Sequence, residues 1–414
     1  MDAPASTRDF DPAILGQIPG ALQGVVDNGD LAGVVTLIWR KGEIVRVDTV
    51  GQADIETATP MARDTLFRIA SMTKPVTSVA ALMLMEEGAF RLDEPITKWA
   101  PEFANMKVLK TAEGPLDEVY DSPRDITFDD LLTHRAGLAY GFTSVGPIAY
   151  AHQRALGDVL NSDMTPDAWM AALGNLPLTY PPGERFHYSH ATDVLGYIVG
   201  RIDGKPFRQS LIDRVFKPLG MSDTDFYFPL DKRDRAATVY RLGKTGQIEP
   251  VPMKMYDAPP ALTGGGGGQV STADDYLKFI RMLMGKGEVD GVRLLKAETV
   301  DLMMTNQLTP EQRAITFMGL PFWLGQGFGL GLSIVDDAEK QAWMGATANG
   351  AFSWPGAFGT WWRGDPANDM IMIYMIQNAM PLEPESASQL ATGQRSEGQM
   401  ALPVFQNMTY EALT

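Results

Sequence analysis

The sequence predicts an α/β sandwich domain, an antiparallel sheet flanked by helices, built from both ends of the chain, with a mostly helical domain inserted between them. Three observations predict it. Strand-like apolar runs occur at residues 33–50 and return at 327–376. Between them, over roughly 75–262, helical periodicities dominate and strand signals are few. The 414 residues also give more chain than one small core requires, so a second unit beside the sheet is accommodated. The expected division is 1–74 with 263–414 for the sandwich and 75–262 for the helical domain, with the functional cleft between them.

Taken in order, residues 11–29 carry a helical period in Ile14, Leu15, Ile18, Leu22 and Val25 or Val26. Residues 33–40 read as a strand, Lys41-Gly42 as a turn, and 43–50 as the hairpin partner. Residues 64–69 form a short strand-like lead into a helix that opens at Ser71 and continues through the apolar run 79–85. A turn at 92–96 and a loop with a small hairpin at 105–125 follow. Residues 126–134 read as a capped helix, with Thr127 as cap and Asp130 three residues on. Helices are expected over 147–160, 165–174, 191–202 and 206–216. Five consecutive glycines occupy 264–268. They lack the Lys-Ser/Thr of a phosphate-binding loop, so they read as a permissive turn where backbone packs closely. A helix over about 273–286 follows, capped by Ser271 or Thr272. Residues 327–335, 352–362 and 370–376 read as an antiparallel meander, and 399–411 as a closing helix.

The hydrophobic and charged fractions, 45% and 21%, are those of an ordinary globular protein. A net charge of −16 argues against nucleic acid or an anionic membrane as partner, since both require a basic face. There is no cysteine, which excludes disulfides, thiolate chemistry and cysteine–zinc sites. The histidines, His134, His152, His187 and His190, show no metal-binding spacing, and neither a metal nor a cofactor is expected. Residues 1–6 lack the features of a signal peptide, and no apolar run is long enough to span a membrane, so a cytoplasmic location is expected.

The chemistry centres on Ser71-Met72-Thr73-Lys74. A spacing of three on a helix puts the hydroxyl and the amine on one face. The helix start supplies free N–H groups and partial positive charge, which favour the oxyanion of acyl transfer. A Ser-x-x-Lys string alone fits a solvated first turn equally well. Tyr188, after the Pro182-Gly183 turn, is a second candidate: with a lysine nearby its phenol can act as general base, although a half-buried structural tyrosine would look the same. No serine has the flanking glycines of a Gly-x-Ser-x-Gly elbow.

Together, Ser71-x-x-Lys74, Leu131-Leu132-Thr133-His134-Arg135-Ala136-Gly137-Leu138, Pro182-Gly183-x-x-Phe186-x-Tyr188-Ser189 and the glycine run before Ser271-Thr272-Ala273 resemble the serine β-lactamase-fold hydrolases. Within them the resemblance points to class C β-lactamases and the related family VIII carboxylesterases, and it spans about 65–380. It implies a β-lactamase or penicillin-binding-protein transpeptidase-like fold. It implies Ser71 as acylating nucleophile, Lys74 as its activating partner and Tyr188 as the base. The third family motif, usually Lys-Thr-Gly, falls at Trp354-Pro355-Gly356, which implies Trp354 and Gly356 as substrate-binding residues. Ala357 would then supply one backbone N–H of the oxyanion hole and Ser71 the other. Lys244-Thr245-Gly246 spells the lactamase motif, but it precedes the glycine run and reads as a hairpin turn. Two departures from the family pattern stand out. Trp354 replaces the lysine that would grip a β-lactam carboxylate, which favours neutral esters. His190 stands where asparagine is usual, either as a hydrogen-bonding contact to substrate or as a group titrating near pH 6.5.

The expected function is a serine carboxylesterase acting on small, neutral, short-chain esters through an acyl-enzyme, with weak β-lactam hydrolysis as a side activity. The alternatives are a class C-type β-lactamase, a D-peptidase or an acyltransferase using the same site, and more remotely a penicillin-recognising binding protein without turnover. Phe322, Trp323, Trp343, Trp361 and Trp362 are aromatics that either line the cleft or fill the core.

Overall fold

The computed structural model describes residues 9–157, 162–243, 245–380 and 397–414. Eight strands form one sheet: β1 (Gly33–Arg40), β2 (Glu43–Asp54), β3 (Thr59–Pro60), β4 (Gln326–Phe328), β5 (Ser333–Val335), β6 (Phe352–Ser353), β7 (Trp361–Asp365) and β8 (Met370–Met375). Their order is β4-β5-β6-β7-β8-β1-β2-β3, and every neighbouring pair is antiparallel. The sheet is therefore closed at its centre by β1 and β8, from opposite ends of the chain. The β1–β2 connection is Lys41-Gly42, both at positive φ (48° and 95°), as a tight hairpin requires.

Six helices matter for the site and its support: α1 (Ile18–Asp27), α2 (Thr73–Glu86), α3 (Phe128–Leu132), α4 (Ala191–Asp203), α5 (Ala273–Met284) and α6 (Glu397–Glu411). Alternate residues of β1 and β8 face opposite layers. Val34, Ile38, Met372 and Tyr374 pack with Ile18 and Leu22 of α1 and Phe405 of α6. Val35, Leu37, Ile371 and Ile373 pack with Tyr276, Phe279 and Leu283 of α5. Both faces are covered, which is why these strands are continuous apolar runs and not alternating ones. Eleven of the fourteen residues of α2 are buried, so this helix runs through the core and carries no solvent face. The apolar cluster continues from it into the helical side through Leu131, Trp169 and Val194. Thr127 and Asp130 form the expected reciprocal cap of α3.

Local departures from expectation have physical causes. The 11–29 segment is two helices, Pro12–Leu15 and α1. Pro19 has no N–H, and in a continuous helix its ring would meet the carbonyl of Leu15. Residues 327–335 are not one strand but the β4–β5 hairpin, turning at Gly331 with φ 92°. Residues 354–360 leave the sheet between β6 and β7 as a loop. Helix 147–160 ends at Leu156, and its last expected residues, 158–160, lie outside the described ones, as do residues 1–6. Among the described residues no helix is long and apolar enough to cross a membrane.

Candidate active site

Ser71 lies in a 3-10 turn, Ala70–Met72, that leads into α2. It is thus not the cap of α2; the helix begins two residues later. Ala70 takes a left-handed conformation with φ 44°, a strain of roughly 1 kcal/mol for a residue with a Cβ. The surroundings hold it there. Phe67 and Arg68 pair with Val270 and Ser271, and the Ile69 N–H donates to the Gln269 carbonyl at 3.0 Å. Thr360 Oγ1 donates to the Ile69 carbonyl at 3.2 Å, and Tyr276 Oη to the Met72 carbonyl at 2.7 Å.

The Ser71 hydroxyl meets two partners. Tyr188 Oη lies 2.7 Å from Ser71 Oγ, and Lys74 Nζ donates to the same oxygen at 3.3 Å. Lys74 is only 1% exposed. Its other donors reach Tyr140 Oη at 3.2 Å and the Gly266 carbonyl at 2.6 Å. Three acceptors are the full complement of an ammonium group. The glycine run makes this possible by close packing. A Cβ on Gly265 would stand 2.5 Å from the Thr192 carbonyl, and one on Gly266 would stand 2.7 Å from Tyr140 Oη. The loop therefore cradles an amine.

Behind Lys74 is a buried carboxylate. Asp193, in the first turn of α4, accepts from Tyr140 Oη at 3.2 Å and from the Gly266 N–H at 2.8 Å, and contacts His190 Nδ1 at 3.1 Å. Burial pushes the Asp193 carboxyl up, but the His190 hydrogen bond, the nearby Lys74 charge and the Gly266 N–H outweigh it and hold it below the usual range. Burial, reinforced by Asp193, raises the Tyr140 phenol well above its ordinary value, so it stays protonated and donates.

Tyr188 follows the Pro182-Gly183 turn and precedes α4. The Trp354 indole N–H donates to Tyr188 Oη at 3.2 Å, and Lys74 Nζ sits 4.4 Å from the centre of its ring. The His134 ring packs against it with centroids 4.7 Å apart. His134 has φ 53°, accepts the Ser189 N–H on Nδ1 at 3.3 Å and gives its carbonyl to the His187 N–H at 2.8 Å. Burial holds its imidazole well below the ordinary value, hence neutral. The 131–138 motif is thus the backing on which the tyrosine rests.

Trp354 is buried beside Tyr188 among Phe317, Phe322 and Phe328. Trp323 belongs to the same cluster, whereas Trp361 and Trp362 are core residues of the sheet and Trp343 is exposed. Gly356 allows the 354–360 loop to touch the nucleophile turn, because a Cβ there would stand 2.4 Å from the Ile69 carbonyl. Ala357 gives its carbonyl to the Met380 N–H at 2.9 Å, while its own N–H has no partner among the described residues.

His190 is buried next to the carboxylate behind Lys74. It is 2% exposed, edge-on to Tyr140 with centroids 4.2 Å apart, and its ring nitrogen is spent on Asp193. It stands at the N-cap position of α4 with its ring against Asp193 and Tyr140, beside the support of Lys74. Burial lowers its pKa from the ordinary imidazole value, against the opposing pull of the Asp193 hydrogen bond. Tyr140, Asp193 and the Gly266 carbonyl carry no local sequence signal; only the glycine run hinted at close backbone packing. Thr245-Gly246 lies in the turn between the strands Tyr240–Leu242 and Ile248–Pro250, and Lys244 is outside the described residues. No group of three or more acidic or histidine side chains among the described residues is arranged to hold a metal.

Comparison with known proteins agrees with this architecture. The Beta-lactamase family profile matches residues 19–392, and the chain belongs to that family. It is 48% identical over 397 residues to Protein Rv1367c of Mycobacterium tuberculosis, covering 95% of this chain and 98% of the relative. Esterase EstB of Burkholderia gladioli is 29% identical over 368 residues, 84% of this chain and 86% of its own. Among solved structures, EstCE1, described as a hydrolase with promiscuous acyltransferase activity, matches with a TM-score of 0.75 and 27% identity over 94% of this chain and 98% of its own. The protein is a serine hydrolase of the β-lactamase fold, akin to family VIII esterases.

Proposed function

We propose that the protein is a carboxylesterase that hydrolyses small, neutral, short-chain esters through an acyl-enzyme on Ser71. The observation that carries this reading is the Ser71 hydroxyl held between Tyr188 Oη (2.7 Å) and Lys74 Nζ (3.3 Å), with the neutral indole of Trp354 at the third corner. Tyr188, acting as its phenolate, takes the Ser71 proton as Oγ attacks the ester carbonyl carbon. The N–H groups of Ser71 and Ala357 receive the oxyanion. Collapse expels the alcohol, which leaves with the proton returned by Tyr188. Water then attacks the acyl carbon with Tyr188 again as base, releasing the acid and restoring Ser71. The fixed cation of Lys74 favours each proton removal. Trp354 offers no charge to a substrate carboxylate, and it is packed in an aromatic cluster with Phe322, Trp323 and Phe328. Gly356 stands with Trp354 at the substrate wall, and its lack of a side chain lets its loop approach the nucleophile turn. The site belongs to a cleft between a sandwich unit, 1–74 with 263–414, and a helical unit, 75–262.

The test is turnover of p-nitrophenyl acetate and butyrate beside the lactam nitrocefin, in wild type and Ser71→Ala. Fast ester and slow lactam turnover, both falling at least ~1,000-fold in the variant, is the expected result. Ester turnover unchanged in Ser71→Ala removes Ser71 from the reaction, and fast nitrocefin turnover overturns the argument from Trp354. Acyl transfer to an alcohol is the second reading, favoured by the printed description of EstCE1. Product analysis with a competing alcohol separates it from hydrolysis.

A further inference from the structure

All three hydrogen bonds of Lys74 go to neutral oxygens: the Ser71 hydroxyl, the Tyr140 phenol and the Gly266 carbonyl. An ammonium group this deeply buried requires a compensating charge. Asp193 lies one hydrogen-bonded group away, by two separate routes. Tyr140 Oη accepts from Lys74 Nζ and donates to Asp193 Oδ2, at 3.2 Å in both cases. Gly266 turns its N–H to Asp193 Oδ1 at 2.8 Å and its carbonyl to Lys74 Nζ at 2.6 Å. A Cβ on Gly266 would stand 2.7 Å from Tyr140 Oη and 2.8 Å from Asp193 Oδ2. The two routes therefore run so close together that only glycine fits between them.

The carboxylate is as buried as the amine, and its neighbours give it no cation of their own. His190, against Oδ2 at 3.1 Å, is an imidazole that burial draws toward its neutral form. His152, stacked on His190 with centroids 5.7 Å apart, is lowered by burial to about 3. Burial raises the phenols of Tyr140 and of Tyr197, one turn further along α4, well above their ordinary value. On the far side of Lys74 the facing groups are Tyr188, its ring centre 4.4 Å from Nζ, and the neutral His134 packed against that ring. Within this network Asp193 is the carboxylate and Lys74 the cation, and each is left with the other as its compensating charge.

We propose that Asp193 is the counter-charge of Lys74, a positioning residue that acts through Tyr140 and Gly266 to keep the amine charged and aimed at Ser71 and Tyr188. This rests on the reading of Lys74 as the fixed cation of the reaction. Without the carboxylate the ammonium is uncompensated, sheds its proton at lower pH, and Tyr188 loses the charge that favours its action as a base.

A stability cycle tests the pairing and a pH profile tests its role. Thermal midpoints of Lys74→Met, Asp193→Asn and the double variant are compared with wild type at neutral pH. The double variant is expected to lose less than the sum of the two single losses, because removing the second charge relieves the first. If Asp193→Asn alone does not fold, a double variant that folds supports the pairing equally. A double loss equal to or greater than the sum, or a double variant that also fails to fold, overturns it. Next, kcat/KM for p-nitrophenyl butyrate is followed from neutral to alkaline pH in wild type and Asp193→Asn. The alkaline limb is expected to move toward neutrality by at least ~1 pH unit in the variant. A carboxylate that only braces the fold would scale turnover evenly at every pH and leave the limb in place, which overturns the role. Ser71→Ala, run alongside, separates the two failures. Turnover retained there removes this site from the reaction and overturns both readings, whereas an inactive Ser71→Ala with an unmoved limb in Asp193→Asn overturns the role of Asp193 alone.

Discussion

Trp354 Nε1 donates to Tyr188 Oη, so under the proposed mechanism one residue would both leave the substrate wall uncharged and support the base. Trp354→Phe keeps most of the ring area and removes that N–H. A hydrogen bond to a charged acceptor, here the phenolate that such a base presents, is worth about 1.5–3 kcal/mol, so kcat for p-nitrophenyl acetate is expected to fall roughly 10- to 100-fold with KM little changed. Steady-state kinetics of the variant check this; an unchanged kcat removes Trp354 from the support of Tyr188. The proximity of Ser71, Lys74 and Tyr188 was legible because the signals are local: a spacing of three across a helix start, and a tyrosine after a Pro-Gly turn. Tyr140, Asp193 and Gly266 were not, since they lie 66, 122 and 195 residues from Ser71 or Lys74 in the chain and meet only through folding (Lys74 to Tyr140 is 66 and Ser71 to Asp193 and Gly266 are 122 and 195). The burial of His190 was not legible, because its distance from Tyr188 in sequence says nothing about which way the first residue before α4 turns.

The glycine loop at 264–268 shows how an element can act without any functional side chain. Its carbonyls take Lys74 Nζ (2.6 Å) and Thr77 Oγ1 (2.8 Å), and so fix α2 and its amine against α4. Gly265→Ala would put a Cβ 2.5 Å from the Thr192 carbonyl and 3.2 Å from both Gly196 Cα and Thr77 Cγ2. Backbone lies on one side and a core helix on the other, so relief requires moving the loop. Overpacking of this kind costs about 1–3 kcal/mol. A lower thermal midpoint is expected, together with a turnover loss larger than unfolding accounts for, because the acceptor next door moves with it. Thermal scans and kcat at a temperature where the variant is folded check both. The closely packed turn was readable from five consecutive glycines. The β4–β5 hairpin was not, since glycine alternating with apolar residues has the same period in one strand as in two short ones.

At the scale of the molecule, acid is the vulnerability. Burial lowers His152 and His187 to about 3, and also lowers His134 and His190. Unfolded, each imidazole takes a proton near 6.5. The unfolded state therefore binds more protons between about 3 and 6.5, and stability is complete above 6.5 and drains as pH falls through that window. Each pH unit in it is worth up to ~1.4 kcal/mol per histidine. Urea midpoints are expected to be level from pH 8 to 7 and to drop steeply from 6 to 4.5; a level midpoint down to 4.5 contradicts the burial of these rings. The sandwich of sheet and helices was legible from where the apolar runs fall. The single apolar cluster that continues from sheet to helical side was not, because periodicity shows which face an element buries and not against what.

The closure of the sheet at β1 and β8 has a consequence for synthesis. Val35 pairs with Met375, 340 residues later. At ~5–20 residues per second, a ribosome exposes β1 roughly 17–70 s before its partner exists. Throughout that time a strand apolar on both faces has one bare edge, the arrangement that recruits other chains. The same pairing that buries the centre of the finished sheet makes the nascent protein a client for chaperones, and yield on overproduction should rise when translation is slowed or holding chaperones are supplied.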